Sequence, residues 1–208
     1  MSSSDHPIPL ESFQTFRDLL KYLRRHARLT QREVAIAVGY SVALFGLGQI
    51  AGRQADYSAA HSYLEESLEL CRKLDDPWSI ASVLYLLGEV SRLQNDTTQA
   101  IKQYSESLTL NQTVGDRAMI GFTLHNMGKI AQLHGGLDRA AHLFGAAKSL
   151  REDSALTTSW SLTDHAQCEE DILTLRKTLD NETFEKAWRE GQAMNRDEAA
   201  AYGLQRRY

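Results

Sequence analysis

Proline is nearly absent: three residues in 208, two of them at Pro7 and Pro9, so that only Pro77 interrupts the remainder. A chain so poor in helix breakers is not a Pro-rich linker or an all-β protein with proline-marked turns. Cysteine is equally scarce. Cys71 and Cys168 lie far apart, with no motif around them. This excludes a disulfide framework and a Cys/His zinc cluster, and leaves two buried, reduced thiols as the expectation. No uninterrupted apolar run approaches the about 20 residues needed to cross a bilayer. The first residues, Met-Ser-Ser-Ser-Asp-His-Pro, have neither a basic nor an apolar leader region. The expectation is therefore a cytoplasmic chain with no membrane partner. Neither charge sign dominates: the net charge is −4. Residues 1–42 carry six Lys/Arg against four Asp/Glu, and residues 43–208 seventeen against twenty-three. The larger part would repel phosphate, and the smaller lacks the excess of a dedicated nucleic-acid binder.

What is abundant is Leu, Ala, Glu, Gln and Arg, all good helix formers. They are arranged in a repeat. Leu44-Phe-Gly-Leu-Gly-Gln-Ile-Ala51 returns as Leu84-Tyr-Leu-Leu-Gly-Glu-Val-Ser91 and again as Leu124-His-Asn-Met-Gly-Lys-Ile-Ala131. A shift of forty residues, without gaps, aligns Gly48, Gly88 and Gly128, then Ala60, Ala100 and Ala140, then Leu70, Leu110 and Leu150. It also aligns Leu64 with the rings of Tyr104 and Phe144, and Asp76 with Asp116. Register kept over so many columns is the signature of a repeat array.

Each unit reads as a helical hairpin. The glycine lets a second helix approach, Ala100 packs against it, and Tyr104, Leu108 and Leu110 face inward. Asn95-Asp-Thr-Thr98 supplies turn and cap chemistry, and Asp76-Pro77 opens a helix with Asp as N-cap and Pro at the first helical position. A hairpin that is apolar on both sides must stack on neighbours. The order of Leu, Leu-Gly, a small residue, then Ala and an aromatic or Leu resembles the tetratricopeptide repeat over residues 44–150. The forty-residue unit is similar to the repeats attached to bacterial signalling ATPases and transcription regulators. The resemblance implies an all-α fold: an α-solenoid of three tetratricopeptide-like hairpins over residues 42–150, capped by helices at both ends.

Residues 151–208 leave the period. Helices are predicted at about 161–178, 182–190 and 196–207, with a capping box at Asn195-Arg-Asp-Glu198. Phe184, Trp188, Met194 and Tyr202 are expected to anchor this segment as a C-terminal cap resembling the closing segment of those regulator arrays.

Residues 1–41 read differently. Phe13, Phe16, Leu19, Leu20 and Leu23 recur at helical spacing, with Arg17, Lys21, Arg24 and Arg25 on the other sides. Thr30 and Glu33 form a second capping box, and Val34 to Val38 lead to an expected turn at Gly39-Tyr40-Ser41. This resembles the first two helices of a Cro/repressor-type helix-turn-helix. The residues after Ser41, which in that family read bases, are here Val42-Ala-Leu-Phe-Gly-Leu47, with no donor or acceptor for a base edge. The pattern is that of a regulator's N-terminus fused by internal deletion to its C-terminal array. Residues 11–38 then serve as an N-terminal cap, and Arg24, Arg28, Gln31 and Arg32 are the candidates for any phosphate contact.

No catalytic constellation is present. Gly46-Leu-Gly48-Gln-Ile-Ala51 fits a dinucleotide fingerprint, but Gly46 becomes Leu86 and Asn126 in the sister units, so the repeat explains it better. The histidines make no metal pattern, and no cofactor is expected. The resemblance instead implies a groove lined by the first helix of each unit: Phe45, Gln49 and Gly52; Tyr85, Glu89 and Arg92; His125, Lys129 and Gln132. Asn126 takes a place that can bond a peptide backbone in that family, and Arg92 and Lys129 suit carboxylates. The functional expectation is a non-enzymatic scaffold for a protein or peptide, with a homodimer as an allowed state. A DNA-binding regulator whose array senses a ligand is the alternative.

Overall fold

The computed structural model describes residues 31–152 and 165–205, and among them every regular element is an α-helix. Three hairpins follow one another: α1 (Gln31–Arg53) with α2 (Tyr57–Leu74), α3 (Pro77–Leu93) with α4 (Thr97–Val114), and α5 (Arg117–Leu133) with α6 (Leu137–Glu152). Then come α7 (His165–Thr178), α8 (Asn181–Ala193) and α9 (Arg196–Leu204). Each hairpin packs on the next through α2 against α3 and α4 against α5, and the first helices also touch, α1 to α3 and α3 to α5. The fold is an all-α solenoid.

The period is written into the turns. Ala55, Asn95 and Gly135, forty residues apart, all take left-handed backbone, with φ of 60°, 63° and 82°. Asp75 and Gly115 do the same between hairpins, at 52° and 77°. The turns at Ala55, Asp75, Asn95 and Gly115 each hand the chain to an aspartate N-cap. The carboxylates of Asp56 and Asp96 accept from the amides of Ala59 and Gln99 at 3.0 Å, and Asp76 and Asp116 accept from Ser79 and Met119. Pro77 follows Asp76 at the helix start as expected.

Within each hairpin the repeated glycine marks the crossing. A Cβ built on Gly48 would lie 2.6 Å from Leu64 Cγ, one on Gly88 2.5 Å from Tyr104 Cε1, and one on Gly128 2.6 Å from Phe144 Cε1. The absent side chain lets the partner helix bring its ring or Leu directly onto the backbone. The nearest neighbour of Gly88 is therefore the Tyr104 ring, where the sequence pointed to Ala100. Tyr104 and Phe144 are fully buried in one continuous core that runs through all three hairpins into α8 and α9.

The C-terminal helices close the far end. α8 lies along α6 so closely that a Cβ on Gly145 would run into the Trp188 carbonyl, and one on Gly191 into the His142 carbonyl. α9 turns back across α4, α5 and α6. Its last carbonyls, those of Tyr202, Gly203 and Gln205, accept from the Arg139 guanidinium at 3.2, 3.1 and 2.7 Å. The capping box at Asn195 and Glu198 is present. Phe184 is buried, and Trp188, Met194 and Tyr202 are half-buried against the core. The expected residues 161–164 and 206–207 of these helices lie outside the described residues.

One expectation fails. No turn forms at Gly39-Tyr40-Ser41: α1 runs through it without a break, from Gln31 to Arg53. The Ser41 hydroxyl, expected in that turn, donates back to the Val38 carbonyl at 2.9 Å, a bond that belongs inside a helix. The second helix of the motif and the first helix of the array are one rod. A second expectation also needs correcting. Ala35–Arg53 is long and apolar enough to cross a membrane by length and composition. Gly, Ser and Gln interrupt the apolar run but add no charge, so a search for unbroken runs passes over it.

Candidate binding site

The first helices of the hairpins, α1, α3 and α5, form the row on which the groove residues were expected. The rise of the solenoid brings these residues together, but mostly onto one another. Tyr85, Glu89, His125 and Asn126 are no more than 2 % exposed. Phe45, Gln49, Arg92, Lys129 and Gln132 are half-buried, and Gly52 is buried.

Asn126, expected to meet a peptide backbone, donates from Nδ2 to the Tyr85 hydroxyl at 3.0 Å. Two positions assigned to a ligand bond to each other across α5 and α3. Lys129 does hold a carboxylate, but one from this chain: its Nζ lies 2.8 Å from Asp171 Oδ2 on α7. The same oxygen is 3.0 Å from His125 Nε2. Burial pushes the His125 pKa down to about 4, against the pull of Asp171. The ring is therefore neutral near pH 7 and donates from Nε2, stacked on Phe144 at 4.5 Å between centroids. Burial alone would raise the Asp171 carboxyl, but the hydrogen bonds from His125 and Lys129 outweigh it and hold the group below its ordinary value. Beside it, Arg151 Nη1 donates to Cys168 Sγ at 3.1 Å, and burial raises that thiol. This corner is a closed polar junction that fastens α7 to α5 and α6. Lys129 and His125 both spend their polar contacts on Asp171 of the same chain.

Among the described residues an apolar cavity lies elsewhere, where α1, α2 and α3 meet. It has a volume of about 180 Å³ and a predominantly apolar wall that includes Val42, Phe45, Cys71, Trp78, Ser82 and Val83. Its serine hydroxyls are turned into the scaffold: Ser67 donates to the Ser41 carbonyl at 2.9 Å and Ser82 to the Trp78 carbonyl at 3.0 Å. Burial raises the Cys71 thiol, so it stays protonated and inert near neutral pH. Trp78 is 40 % exposed, and its indole donates from Nε1 to Asp116, the N-cap of α5, at 3.2 Å. Of the residues expected in the groove only Phe45 lines this cavity. Sequence reasoning missed Trp78 and Val42. The available signal was that Trp78 breaks the period, its counterparts being Val38 and Ala118.

Of the candidate phosphate contacts, Arg24 and Arg28 lie outside the described residues, and Gln31 and Arg32 open α1. Among the described residues no group of three His, Cys, Asp or Glu is placed to hold a metal ion.

A tetratricopeptide repeat family model matches residues 79–153, which runs from the first turn of α3 to the end of α6. The match falls on the second and third hairpins, and the first follows the same forty-residue plan in its glycine, turns and caps. No curated protein and no solved structure matches the chain.

Proposed function

We propose that this chain is a protein-interaction scaffold in which the junction of α1, α2 and α3 anchors one bulky apolar side chain of a peptide. The observation that carries the reading is the cavity: about 180 Å³, apolar, and open beside the exposed faces of Val42 and Trp78. A dry apolar cavity of about 150 Å³ holds a benzene ring, so this one suits a phenylalanine- or leucine-sized anchor. Tetratricopeptide repeats generally mediate contacts between proteins, which agrees with a site that binds and has no reacting group. One anchor and a short surface support micromolar affinity, about −8 kcal/mol.

The likeness of the forty-residue units to arrays of bacterial regulators supports a place in a regulatory system. Two buried free thiols, Cys71 and Cys168, suit a reducing compartment such as the cytoplasm.

Peptide display on the intact chain, followed by calorimetry on the enriched sequences, tests the assignment. Val42→Trp fills the mouth of the cavity from an exposed position and should weaken binding at least about tenfold, or by 1.4 kcal/mol. Enriched peptides without a large apolar residue, or binding indifferent to Val42→Trp, would contradict it.

A further inference from the structure

We infer that the outer face of α1 is an interface with a second copy of this chain, the two α1 helices packing antiparallel about Ala43.

The array itself shows what this face is for. Tyr40, Ala43, Leu47 and Ile50 correspond, forty residues on, to Ile80, Val83, Leu87 and Val90, and eighty on to Ile120, Thr123, Met127 and Ile130. In the later hairpins these are stacking positions. Val83, Leu87, Val90, Ile120, Thr123, Met127 and Ile130 are at most 1 % exposed, in helices that pack against the hairpin before them. The adjoining position shows the direction. Asn126 reaches back to Tyr85 on the preceding hairpin, and its counterpart in α1 is Gly46.

In α1 the same side is open. Tyr40 is 50 % exposed, Leu47 45 % and Ile50 54 %, and Ile36, one step earlier, is 61 %. A Cβ built on Gly39 or Gly46 meets nothing within 4 Å. Between Glu33 and Arg53 α1 carries no charged residue at all. The face is built to take a helix, and nothing among the described residues precedes it in the stack.

Two features select a second copy as the occupant. Ile36, Tyr40, Ala43, Leu47 and Ile50 are spaced four, three, four, three, which is the seam of two helices packed side by side. The seam is also nearly the same read backwards. Ile36 and Ile50 stand seven residues either side of Ala43, and Tyr40 and Leu47 three and four. A two-fold axis at Ala43 sets Ile36 against the partner's Ile50 and Tyr40 against its Leu47, with the smallest side chain where the helices cross. An isologous contact needs that self-complementarity. With Gly39 and Gly46 on one flank, the backbones can approach closely. The Tyr40 hydroxyl, tied to Glu66 at 3.0 Å, holds its ring in place. One helix per copy is a small interface beside the usual about 800 Å² per partner, so the dimer should dissociate in the micromolar range.

Sedimentation of the full chain from about 1 to 200 μM tests the proposal, with cross-linking to fix the geometry. The expected result is a reversible monomer–dimer equilibrium that Leu47→Arg shifts to monomer at least tenfold, with melting temperature unchanged. Ala43→Cys should oxidise to a covalent dimer, Ile36→Cys alone should not, and Ile36→Cys with Ile50→Cys should. A monomer at every concentration would overturn it, as would a dimer indifferent to Leu47→Arg. So would a disulfide within one chain between Leu20→Cys and Tyr40→Cys, which would give the face to the chain's own N-terminal residues. Sedimentation of the wild-type chain with phosphatidylcholine vesicles, lost in Leu47→Arg, would give it to a bilayer instead and equally overturn the dimer. None of these readouts involves the cavity or Val42, so peptide binding stands or falls separately.

Discussion

The hydroxyl of Ser107 donates to the carbonyl of Ala81 at 2.8 Å, tying the second helix of a hairpin to the backbone of the first. Forty residues earlier Ser67 makes the same bond to Ser41 at 2.9 Å. In the third hairpin the pair is Ala147 and Gly121, and the helices close up until a Cβ on Gly121 would stand 3.0 Å from the Ala147 carbonyl. One contact point thus has two solutions, a hydroxyl bridge or direct backbone approach.

Removing the bridge should cost most in the second hairpin. Ser107→Ala leaves the Ala81 carbonyl its helical partner, but the Ser107 hydroxyl also accepts from the buried Asn111 Nδ2 at 3.2 Å, so two buried hydrogen bonds are lost, about 2 kcal/mol. Urea unfolding measures it, and Ser67→Ala, where Cys71 stands in the place of Asn111, should cost less.

Filling the glycine crossing should cost more. Gly88→Ala drives a methyl into the fully buried Tyr104 ring, which has no free space to move into. Overpacking of this kind costs about 1–3 kcal/mol. Gly46→Ala, on the open side of the same array, should change thermal stability little, and the contrast between the two is the measurement.

The strained turn offers a gain. Ala55 holds φ of 60°, where its counterpart forty residues on is Asn95. Left-handed backbone costs an alanine roughly 1 kcal/mol and asparagine less. Ala55→Asn should therefore raise stability by about 0.5 kcal/mol, read as a higher urea midpoint with unchanged slope.

Stability should fall with pH through His125. Its folded pKa of about 4 lies below the ordinary histidine value. Between those values the unfolded chain takes up a proton that the folded chain refuses. The contribution is complete above pH about 6.5 and lost as pH falls toward 4. Between pH 6.5 and 5 the loss should approach about 2 kcal/mol, and Asp171, held low by His125 and Lys129, adds a further loss below its ordinary value. Unfolding curves at pH 7.5, 6 and 5 test this, and His125→Gln should flatten the dependence across that window.

Arg139 should be the clamp of α9. Its guanidinium serves three terminal carbonyls and lies 5.0 Å over the Tyr202 ring. Arg139→Met keeps the apolar stem and strands those acceptors, at about 2–3 kcal/mol. Hydrogen exchange should quicken in residues 196–204 first.

The parts of the fold legible beforehand were those written as local chemistry. Asp76-Pro77 announces a helix start, Asn195 with Glu198 a capping box, and the glycines at 48, 88 and 128 a crossing. Each needs only neighbours in sequence or a partner fixed by the period. The segment at Gly39-Tyr40-Ser41 misled because glycine and serine suit a turn as well as a helix, and nothing local decides between them. The groove residues misled for another reason. Whether Tyr85 or His125 faces solvent depends on Asn126 of the next hairpin and on Asp171, forty-six residues beyond His125.

The sequence by itself determined the hairpin, its forty-residue period, its caps and the close crossing at each glycine, because these follow from backbone freedom and side-chain size within one unit. The tertiary structure decided which surfaces remain for a partner. Stacking buried the charged and amide groups of α5 against α3 and α7, and left open a cavity at the α1–α2–α3 junction and the outer face of α1. Exposure is a property of what packs alongside, and no single unit carries that in its own residues.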